Sequence, residues 1–437
     1  MRDFATSDHP GVQTQLNRLA ALSLPQGRYG LDTIEAICAR LGHPERHLPP
    51  VFHVAGTNGK GSTCAFLRAM LEAQGYTVHS ATKPHLVRYN ERIRIAGRLI
   101  DDDALAALLA EVLDASEDLG PSFFEVTTAA LFLAFSRHPA DACVIEVGLG
   151  GRLDATNVIP APLVCGVASL GLDHEAFLLR PEAGTPDEPI ARIAFEKASI
   201  AKPGVPLVTQ TYPGGANAAV IATAACHGAP LLMRGRDWGF EPGADGFVLH
   251  DADEMVTLPL PTLPGSHQID NAALAVMMLR HQTALSVSAA AMAQGIRAAR
   301  WPARLQRLGD GPLTALVPGR QVWLDGGHNP DAGLAIARHF AGGLPIHLII
   351  GMLANKDPAA LIAPLDPLLA SLSVVPAPGH EAHRPEDFAP HTAQAVRPCA
   401  DVAAALAALP DDGRDILIAG SLYLAGEVLR RNREFPD

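Results

Sequence analysis

Lysine is scarce in this chain: of 34 basic residues only five are lysine, and the other 29 are arginine. Lysine is therefore not the general solubilising charge, and a lysine at a given position is a candidate for a role that needs a compact ammonium group. Codon bias explains the scarcity equally well, but it does not explain where the remaining lysines fall. The five are Lys60, Lys83, Lys197, Lys202 and Lys356.

The sequence also lacks the marks of several other classes of protein. No apolar run reaches the roughly 18 to 20 residues of a membrane span, and the N-terminus has no signal-peptide core, so we expect a cytoplasmic protein without membrane contact. The six cysteines form no C-x-x-C pair, which predicts reduced thiols rather than disulfides or zinc ligands. A net charge of −12 argues against nucleic acid as a partner, because binding it needs a basic face.

Length and pattern indicate two α/β domains. A chain of 437 residues exceeds the roughly 250 to 300 residues at which single cores stop growing. Strand-turn-helix units recur in both halves, which predicts a P-loop-type mononucleotide-binding domain followed by a smaller Rossmann-like domain. An alanine-rich helical segment over residues 284–300 is the predicted junction, so we place the domains at residues 1–298 and 299–437.

A glycine-rich stretch, GTNGKGS, stands between a short apolar run and a segment of helical periodicity that Gly75 is expected to end. In a strand-to-helix turn of this kind, backbone N–H groups, the helix N-terminus and Lys60 can converge on phosphate. The stretch departs from G-x-x-x-x-G-K-[ST], since Val54 replaces the first glycine and the hydroxyl of Ser62 comes one residue late. An ordinary tight turn is the alternative, but the flanking pattern favours nucleotide binding.

Acidic and imidazole groups are predicted at the ends of the following strands. Glu146 closes one apolar strand, and the next is expected to end in Asp173 and His174. Ligands gather at such carboxyl ends of parallel strands. These groups can hold Mg²⁺, although Mg²⁺ prefers oxygen, or they can serve as a helix cap and a histidine bonded to a backbone carbonyl.

A second lysine lies in a predicted short helix, IARIAFEKASIAKPG. Lys197 either forms a solvated salt bridge with Glu196 or Asp187, or acts near a metal, where carbamylation would turn it into a carboxylate-like ligand. The preceding segment, residues 178–189, is predicted to be a mobile surface loop. In the second domain, Asp325 and His328 crowd one strand-end turn of the predicted sheet.

Taken in order, several stretches resemble the folylpolyglutamate synthase and dihydrofolate synthase family, relatives of the Mur ligases. They include HVAGTNGKGST, PHLVRYNERIRIAG, EVGLGGRLDATN, EKASIAKPG, HQIDNAALA, WPARLQ and LDGGHNPDAG. The resemblance covers nearly the whole chain. It implies a monomeric ligase of folate biosynthesis and one-carbon metabolism that uses ATP and Mg²⁺, and it allows a monovalent cation. Such an enzyme joins L-glutamate to dihydropteroate, to reduced folates or to both through an acyl phosphate.

The resemblance also implies the site residues. Those expected to carry the chemistry are Lys60, Lys197 and His174. Those expected to contact ATP are Gly56, Thr57, Asn58, Gly59, Lys60, Gly61, Ser62, Asn271, Arg304, Asp325 and His328. Those expected to face the pterin are Phe124, Glu125, Arg152, Leu153, Asp154 and Ala155. Those expected to bind metal are Glu146, His174, Lys197 if carbamylated, and Thr82.

One position departs from the family pattern. Where the family has Ser-Pro-His, with the serine as a metal ligand, this chain reads TKPH, so Lys83 takes the serine position. An ammonium group cannot ligate a cation. A non-catalytic or altered-specificity ATP- or folate-binding relative is therefore one alternative. A Mur-type amino-acid ligase is another, but only about 50 residues precede the glycine turn, fewer than the usual 100 or so of a further domain.

Overall fold

The computed structural model describes residues 5–22, 30–252 and 254–436. The chain forms two compact units, Met1–Thr262 with Ile269–Ala299, and Leu263–Gln268 with Arg300–Asp437. Both are built of α/β elements, which confirms the predicted fold class. The assignment of roles to domains at residues 1–298 and 299–437 stays a prediction. Within the described residues, no helix has the length and apolar content needed to span a bilayer.

The first unit contains ten α-helices and eleven strands among its described residues. The helices are α1 (Pro10–Ala21), α2 (Asp32–Arg40), α3 (Lys60–Gln74), α4 (Asp102–Ser116), α5 (Phe123–Arg137), α6 (Glu175–Leu178), α7 (Pro189–Ala198), α8 (Gly215–Cys226), α9 (His267–Arg280, all but its first two residues) and α10 (Ala289–Ala298). The strands are β1 (Val51–Ala55), β2 (Val78–Ala81), β3 (Ile93–Ile95), β4 (Arg98–Leu99), β5 (Ala142–Glu146), β6 (Val164–Val167), β7 (Leu207–Thr209), β8 (Leu231–Met233), β9 (Trp238–Pro242), β10 (Gly246–Asp251) and β11 (Met255–Pro259).

The main sheet of this unit has eight strands in the order β4-β3-β2-β5-β1-β6-β7-β8. Strands β2, β5, β1, β6, β7 and β8 are parallel, and β3 and β4 extend the sheet antiparallel at one edge. The central strands β1 and β5 are buried along their whole length, as expected of parallel strands covered on both faces. Helices α1, α2, α4 and α5 contribute one buried core and α7 and α8 another. A separate sheet, β11-β10-β9, is antiparallel.

Helices α3 and α10 were predicted from the sequence, and their bounds differ slightly from the predicted ones. Helix α3 begins at Lys60, two residues before the predicted start, and ends at Gln74, followed by Gly75, whose φ of 99° makes it the expected stop. The alanine-rich segment forms α10, which packs closely against α3: a Cβ added to Gly295 would lie 2.4 Å from the Cα of Met70. A glycine is therefore required there by the close approach of the two helices.

The second unit is a smaller α/β layer structure. Its sheet has the order β12-β13-β17-β14-β15-β16, with β12 antiparallel and the rest parallel. The strands are β12 (Gln306–Arg307), β13 (Val322–Leu324), β14 (Ile346–Ile350), β15 (Leu369–Val374), β16 (Val396–Pro398) and β17 (Ile416–Ala419). The helices are α11 (Pro330–Phe340), α12 (Ala359–Leu365), α13 (Pro385–Phe388), α14 (Val402–Ala407) and α15 (Leu422–Asn432). Alternating strands and helices give the parallel order that the sequence predicted.

Candidate active site

The glycine turn lies where the sequence predicted it, between β1 and α3. Gly59, with φ of 82°, directly precedes the helix and brings no side chain to its N-terminus. The turn is held from the neighbouring segment: the Thr57 amide donates to the Ser169 carbonyl at 2.7 Å, and the Thr57 hydroxyl donates to the Gly171 carbonyl at 3.0 Å. The helix end thus has the backbone arrangement of an anion site, whereas the Thr57 side chain serves to fix the turn.

Lys60 lies over this turn. Its ammonium donates to the Gly56 carbonyl at 2.9 Å and to the Thr57 carbonyl at 3.0 Å. These carbonyls are neutral acceptors, and a phosphate oxygen would be a stronger one because charge-assisted hydrogen bonds are about twice as strong. The ammonium is therefore placed beside the turn on a flexible chain that can move to a phosphate.

Asn271 of α9 packs against the same turn. It is 5% exposed, and a Cβ built on Gly59 would lie only 2.3 Å from its Oδ1 atom. The close approach explains why residue 59 is glycine, apart from its positive φ. The structure thus brings a residue more than 200 positions away in sequence to the predicted phosphate loop.

Glu146 ends β5, between β2 and β1, and is 3% exposed. One of its carboxylate oxygens accepts a hydrogen bond from the Lys83 amide at 3.1 Å. Thr82 donates from its hydroxyl to the Glu91 carbonyl at 3.4 Å. Glu146 therefore lies at the predicted carboxyl edge, next to the segment that follows β2.

Asp173 and His174 are not at the end of a strand, so this part of the prediction was wrong. Strand β6 ends at Val167, and the chain then leaves the sheet to pair with the glycine turn through a bridge between Asn58 and Ser169. His174 adopts φ of 54° and its amide donates to Asp173 Oδ1 at 2.8 Å. The reason is tertiary: the turn needs backbone partners, and the residues after β6 supply them.

Lys197 lies near the end of α7 and is 4% exposed. Burial and the Lys60 ammonium together lower the pKa of Lys197 to about 7, against the opposing effect of the Asp173 carboxylate. Glu196, the predicted salt-bridge partner, instead pairs with Arg152 and Arg192. A solvated salt bridge is therefore not what Lys197 forms. A buried lysine with a pKa near 7 is partly neutral, which is the form that reacts with CO₂.

The loop predicted to face the pterin is held by its own charged side chains. The Arg152 guanidinium pairs with Glu196 at 2.9 Å and with Glu182 at 2.6 Å. Glu182 belongs to the segment predicted to be mobile, which is therefore tied to this loop by an ion pair. Leu153 is half-buried and Ala155 is buried. Of the predicted pterin residues in this loop, Leu153 is the one that keeps an exposed side-chain surface without an ionic partner.

Asp154 is the centre of a buried polar network that the sequence did not reveal. Its Oδ2 accepts from the Gly148 and Leu149 amides, both at 3.0 Å, and its Oδ1 accepts from the Thr156 hydroxyl at 2.5 Å. Thr156 in turn bonds His53 Nε2 at 2.8 Å. Although burial acts to raise the pKa of Asp154, the Lys83 ammonium and these hydrogen bonds lower it, so the carboxylate stays ionised.

His53 is fully buried on β1, and burial lowers its pKa to about 3. In the sequence, this network is indicated only by a histidine within an otherwise apolar strand. Such a histidine does not identify the residue to which it bonds.

Helix α5 carries Phe124 and Glu125, the aromatic residue and one of the acidic residues of the predicted pterin site. Glu125 caps the helix: its carboxylate accepts from the Ser122 amide at 2.7 Å, and its own amide donates to the Ser122 hydroxyl at 3.4 Å. Phe124 is half-buried and packs against Phe123, with ring centroids 4.4 Å apart and the ring planes tilted by 48°. Glu125 therefore has a structural role in the free protein, whereas the Phe124 ring keeps exposed surface for a heterocycle.

His85 lies in the same region and is fixed by Arg92, whose Nε donates to His85 Nδ1 at 2.9 Å. Because a guanidinium can only donate, Nδ1 is the acceptor and neutral His85 carries its proton on Nε2. Burial and the Arg92 charge lower the pKa of His85 well below its ordinary value. His85 was not among the residues singled out from the sequence.

In the second unit, Asp325 follows β13 and is 6% exposed. Its carboxylate accepts from the Leu305 amide at 2.8 Å and the Gly327 amide at 2.6 Å. Burial raises the pKa of Asp325, and the Arg304 guanidinium opposes that rise. His328 donates a hydrogen bond of 3.0 Å from its Nδ1 to the Gly326 carbonyl. The predicted trio Arg304, Asp325 and His328 thus lies in one region of this unit.

Among residues 5–22, 30–252 and 254–436, no group of three or more His, Cys, Asp and Glu side chains is placed to hold a metal ion. Mg²⁺ that arrives with ATP does not need such a cage, since it keeps several waters and is bound by one or two carboxylates and by phosphates. Glu146, a buried carboxylate at the sheet edge, fits that requirement.

Comparison with known proteins decides the family. The chain is 36% identical over 409 residues to the folylpolyglutamate synthase of Lacticaseibacillus casei, covering 89% of this chain and 91% of that protein. The chain belongs to the folylpolyglutamate synthase and dihydrofolate synthase family. It is accordingly an ATP-dependent ligase that uses a divalent metal and acts on small molecules. A search against models of protein families found no match.

Two solved structures of this family are similar to the chain. Escherichia coli FolC in complex with DHPP and ADP has 32% identity and a TM-score of 0.83, over 96% of this chain and 97% of that one. A bifunctional folylpolyglutamate synthase/dihydrofolate synthase with Mn, AMPPNP and L-glutamate bound has 30% identity and a TM-score of 0.83, over the same shares.

Proposed function

We propose that this chain joins L-glutamate to dihydropteroate, to reduced folates or to both, using ATP and an acyl phosphate intermediate. One observation carries the proposal. The glycine turn, the N-terminus of α3 and Lys60 follow strand β1, and Glu146 ends the neighbouring parallel strand β5, so all of them lie at the carboxyl edge of one sheet. Membership of the family supports it, and so do the ligands bound to its similar structures.

ATP is assigned to the glycine turn. Residues 56–62 would surround its phosphates with backbone amides, and Lys60 would exchange two carbonyl partners for phosphate oxygens. Asn271 would contact the nucleotide from beside Gly59. Arg304, Asp325 and His328 are assigned to ATP as well, by resemblance to the family.

Glu146 would hold Mg²⁺, together with His174 and, once carbamylated, Lys197. Thr82 is a further oxygen donor on the segment next to Glu146. Mg²⁺ bound there supplies positive charge that offsets charge on the transferring phosphoryl group. The pKa of about 7 at Lys197 supports carbamylation, because the neutral amine is available at physiological pH.

The chemistry follows from the weakness of a carboxylate as an electrophile. A carboxylate oxygen of the acceptor attacks the γ-phosphorus, the bond to the β-phosphate oxygen breaks, and ADP leaves. The amino group of glutamate then attacks the acyl carbon, the bond to the phosphate oxygen breaks, and inorganic phosphate and one proton are released. Positioning and charge stabilisation dominate such phosphoryl transfers. In this chain Lys60 and the amides of α3 are the groups assigned to that task.

The pterin is assigned to the surface formed by Phe124 and Leu153. An aromatic ring and an aliphatic side chain that both keep exposed area suit a flat heterocycle. Arg152, Asp154 and Glu125 support this surface through the ion pairs and hydrogen bonds that hold the loop and helix α5. Ala155 completes the loop by backbone position.

We place the enzyme in the cytoplasm as a monomer without nucleic acid. Support for the compartment comes from the six cysteines, all free, of which Cys38, Cys64, Cys143 and Cys165 are buried. The net charge of −12 disfavours nucleic acid. Glutamate ligation in one-carbon metabolism requires no further macromolecule.

The proposal is tested by product mass. The full chain is incubated with ATP, Mg²⁺ and L-glutamate, and with either dihydropteroate or a mono-glutamylated reduced folate. We expect phosphate release that depends on the acceptor, and a product heavier by one or more glutamyl residues. Phosphate release that ignores both acceptors, or nucleotide binding without any product, would contradict the ligase and favour a non-catalytic relative. Comparison of the two acceptors decides between the first and the later glutamate additions.

A further inference from the structure

The ammonium group of Lys83 has few hydrogen-bond partners although the residue is partly buried. Its Nζ lies 3.4 Å from the Thr128 hydroxyl, a long hydrogen bond. Among the described residues this is the one hydrogen bond that the ammonium makes, and no carboxylate lies within ion-pair distance of it. The charge of the nearby Asp154 carboxylate stabilises the ammonium, but Asp154 accepts no hydrogen bond from it, so part of its three N–H donors remains unused.

Two other lysines of the first unit have closer hydrogen-bond partners than Lys83. The Lys60 ammonium has two carbonyl partners at 2.9 and 3.0 Å, and the Lys202 ammonium donates to the Asn157 carbonyl at 2.8 Å. Lys83 is nevertheless fixed in place. Its backbone amide donates to Glu146, and its stem packs over Gly148, where an added Cβ would lie 3.2 Å from Lys83 Cδ.

The position of the ammonium relates it to the proposed acceptor site. Thr128 lies on α5 four residues after Phe124, so the two share one face of the helix, a turn apart. On the other side, the position of a Cβ on Gly148 is 3.5 Å from Lys83 Nζ and 3.2 Å from Asp154 Oδ2. The ammonium therefore lies between the helix face that carries Phe124 and the loop that carries Leu153.

We infer that the Lys83 ammonium binds the carboxylate of the acceptor that is to be phosphorylated, and so positions it for attack on ATP. The inference rests on the proposed function. The acceptor brings a carboxylate to a triphosphate, and two anions repel each other in a site from which water is excluded. A cation with unused donors at the edge of the acceptor surface offsets that repulsion and supplies the hydrogen bonds that the buried carboxylate needs. Lys83 is thus a positioning residue specific to acceptors with a free carboxylate.

The test compares two probes of similar shape, one with an anionic carboxylate and one with a neutral amide in its place. Binding of dihydropteroate and of its primary carboxamide to the full chain is measured by anaerobic calorimetry in the presence of Mg²⁺ and a non-hydrolysable ATP analogue. For Lys83→Met we expect about 10- to 100-fold weaker binding of dihydropteroate and unchanged binding of the carboxamide, as for loss of a charged hydrogen bond. Lys83→Arg, which keeps the charge, should recover part of the preference for the carboxylate.

Lys202→Met is the matched control, since it removes another largely buried ammonium outside the acceptor surface. It should lower the melting temperature but leave the ratio of the two affinities as in the wild type. Equal weakening of both probes by Lys83→Met would show a merely structural role, and unchanged dihydropteroate binding would also overturn the inference. A wild-type chain that binds neither probe would refute the proposed function itself. A wild type that binds both probes alike would refute the role of Lys83 alone.

Discussion

Replacement of Gly59 by alanine separates the conformational role of the glycine turn from its role in holding nucleotide. Gly59 has φ of 82°, and an added Cβ would lie 2.3 Å from Asn271 Oδ1. Gly75, at the other end of α3, has φ of 99° and nothing within 4 Å of an added Cβ. The two glycines therefore share the backbone strain that alanine would bring, and they differ only in the clash.

The magnitudes follow from this difference. A left-handed alanine costs roughly 1 to 2 kcal/mol, so Gly75→Ala should lower the free energy of unfolding by about that amount. Gly59→Ala carries the same strain and must in addition displace the amide of Asn271, which is only 5% exposed. Overpacking of this kind costs about 1 to 3 kcal/mol, giving a total of roughly 2 to 5 kcal/mol. Loss of one nucleotide contact from Asn271 should weaken ATP binding by about 10-fold or more.

Two measurements check the prediction. Urea denaturation gives the free energy of unfolding of both variants, and calorimetry with a non-hydrolysable ATP analogue gives their affinity for nucleotide at a temperature where both are folded. We expect Gly75→Ala to bind like the wild type and Gly59→Ala to bind weakly. Wild-type affinity in Gly59→Ala, or equal losses of affinity in both variants, would refute the reasoning that residue 59 and Asn271 form part of the nucleotide site.

Three further predictions concern single side chains of the first unit. Lys60→Met should lower acceptor-dependent phosphate release by about 100-fold or more with little change in melting temperature, because its ammonium donates to neutral carbonyls of its own turn; near-normal turnover would contradict the phosphate role. His53, with a pKa of about 3 when folded, binds no proton between pH 7 and 5 whereas the unfolded chain does, so the free energy of unfolding should fall by about 2 kcal/mol over that range and His53→Gln should remove this part of the slope. Glu196→Ala should cost about 3 kcal/mol by chemical denaturation because it removes a carboxylate, only 7% exposed, that two guanidinium groups share, whereas the more exposed Glu182→Ala should cost less than about 1 kcal/mol. Equal costs for these two would contradict the assigned difference in burial.

Features set by local sequence were predictable. The order of apolar run, glycine turn and helical periodicity placed β1, the turn and α3 within two residues, because strand burial and a glycine helix stop act over a few positions. The position of Glu146 was predictable for the same reason, because it directly follows the apolar run of β5. The fold class followed from the alternation of such units along the chain.

Features set by tertiary contacts were not predictable. The chain after β6 leaves the sheet early because the glycine turn needs its backbone as a partner, and this moved Asp173 away from the strand end. Resemblance assigned Arg152 and Asp154 to substrate, but the side chains pair with Glu196 and with backbone amides. A charged residue in a motif can either hold the site in shape or contact the ligand. Only its contacts in the three-dimensional structure distinguish these two roles.

The distribution of lysine is explained by the same distinction. None of the five lysines is fully exposed, so codon bias acting on surface positions does not account for them. Fixed ion pairs, such as those of Arg152, are made by arginine, whose planar fork suits two carboxylates at once. Lys60, Lys83 and Lys197 instead interact with charges in the same region. The Lys60 ammonium lowers the pKa of Lys197, and the Asp154 carboxylate acts to raise the pKa values of both Lys83 and Lys197. The roles proposed for Lys60 and Lys197 are ones that a guanidinium performs poorly: a compact charge that can move to a phosphate, and an amine that can lose its proton.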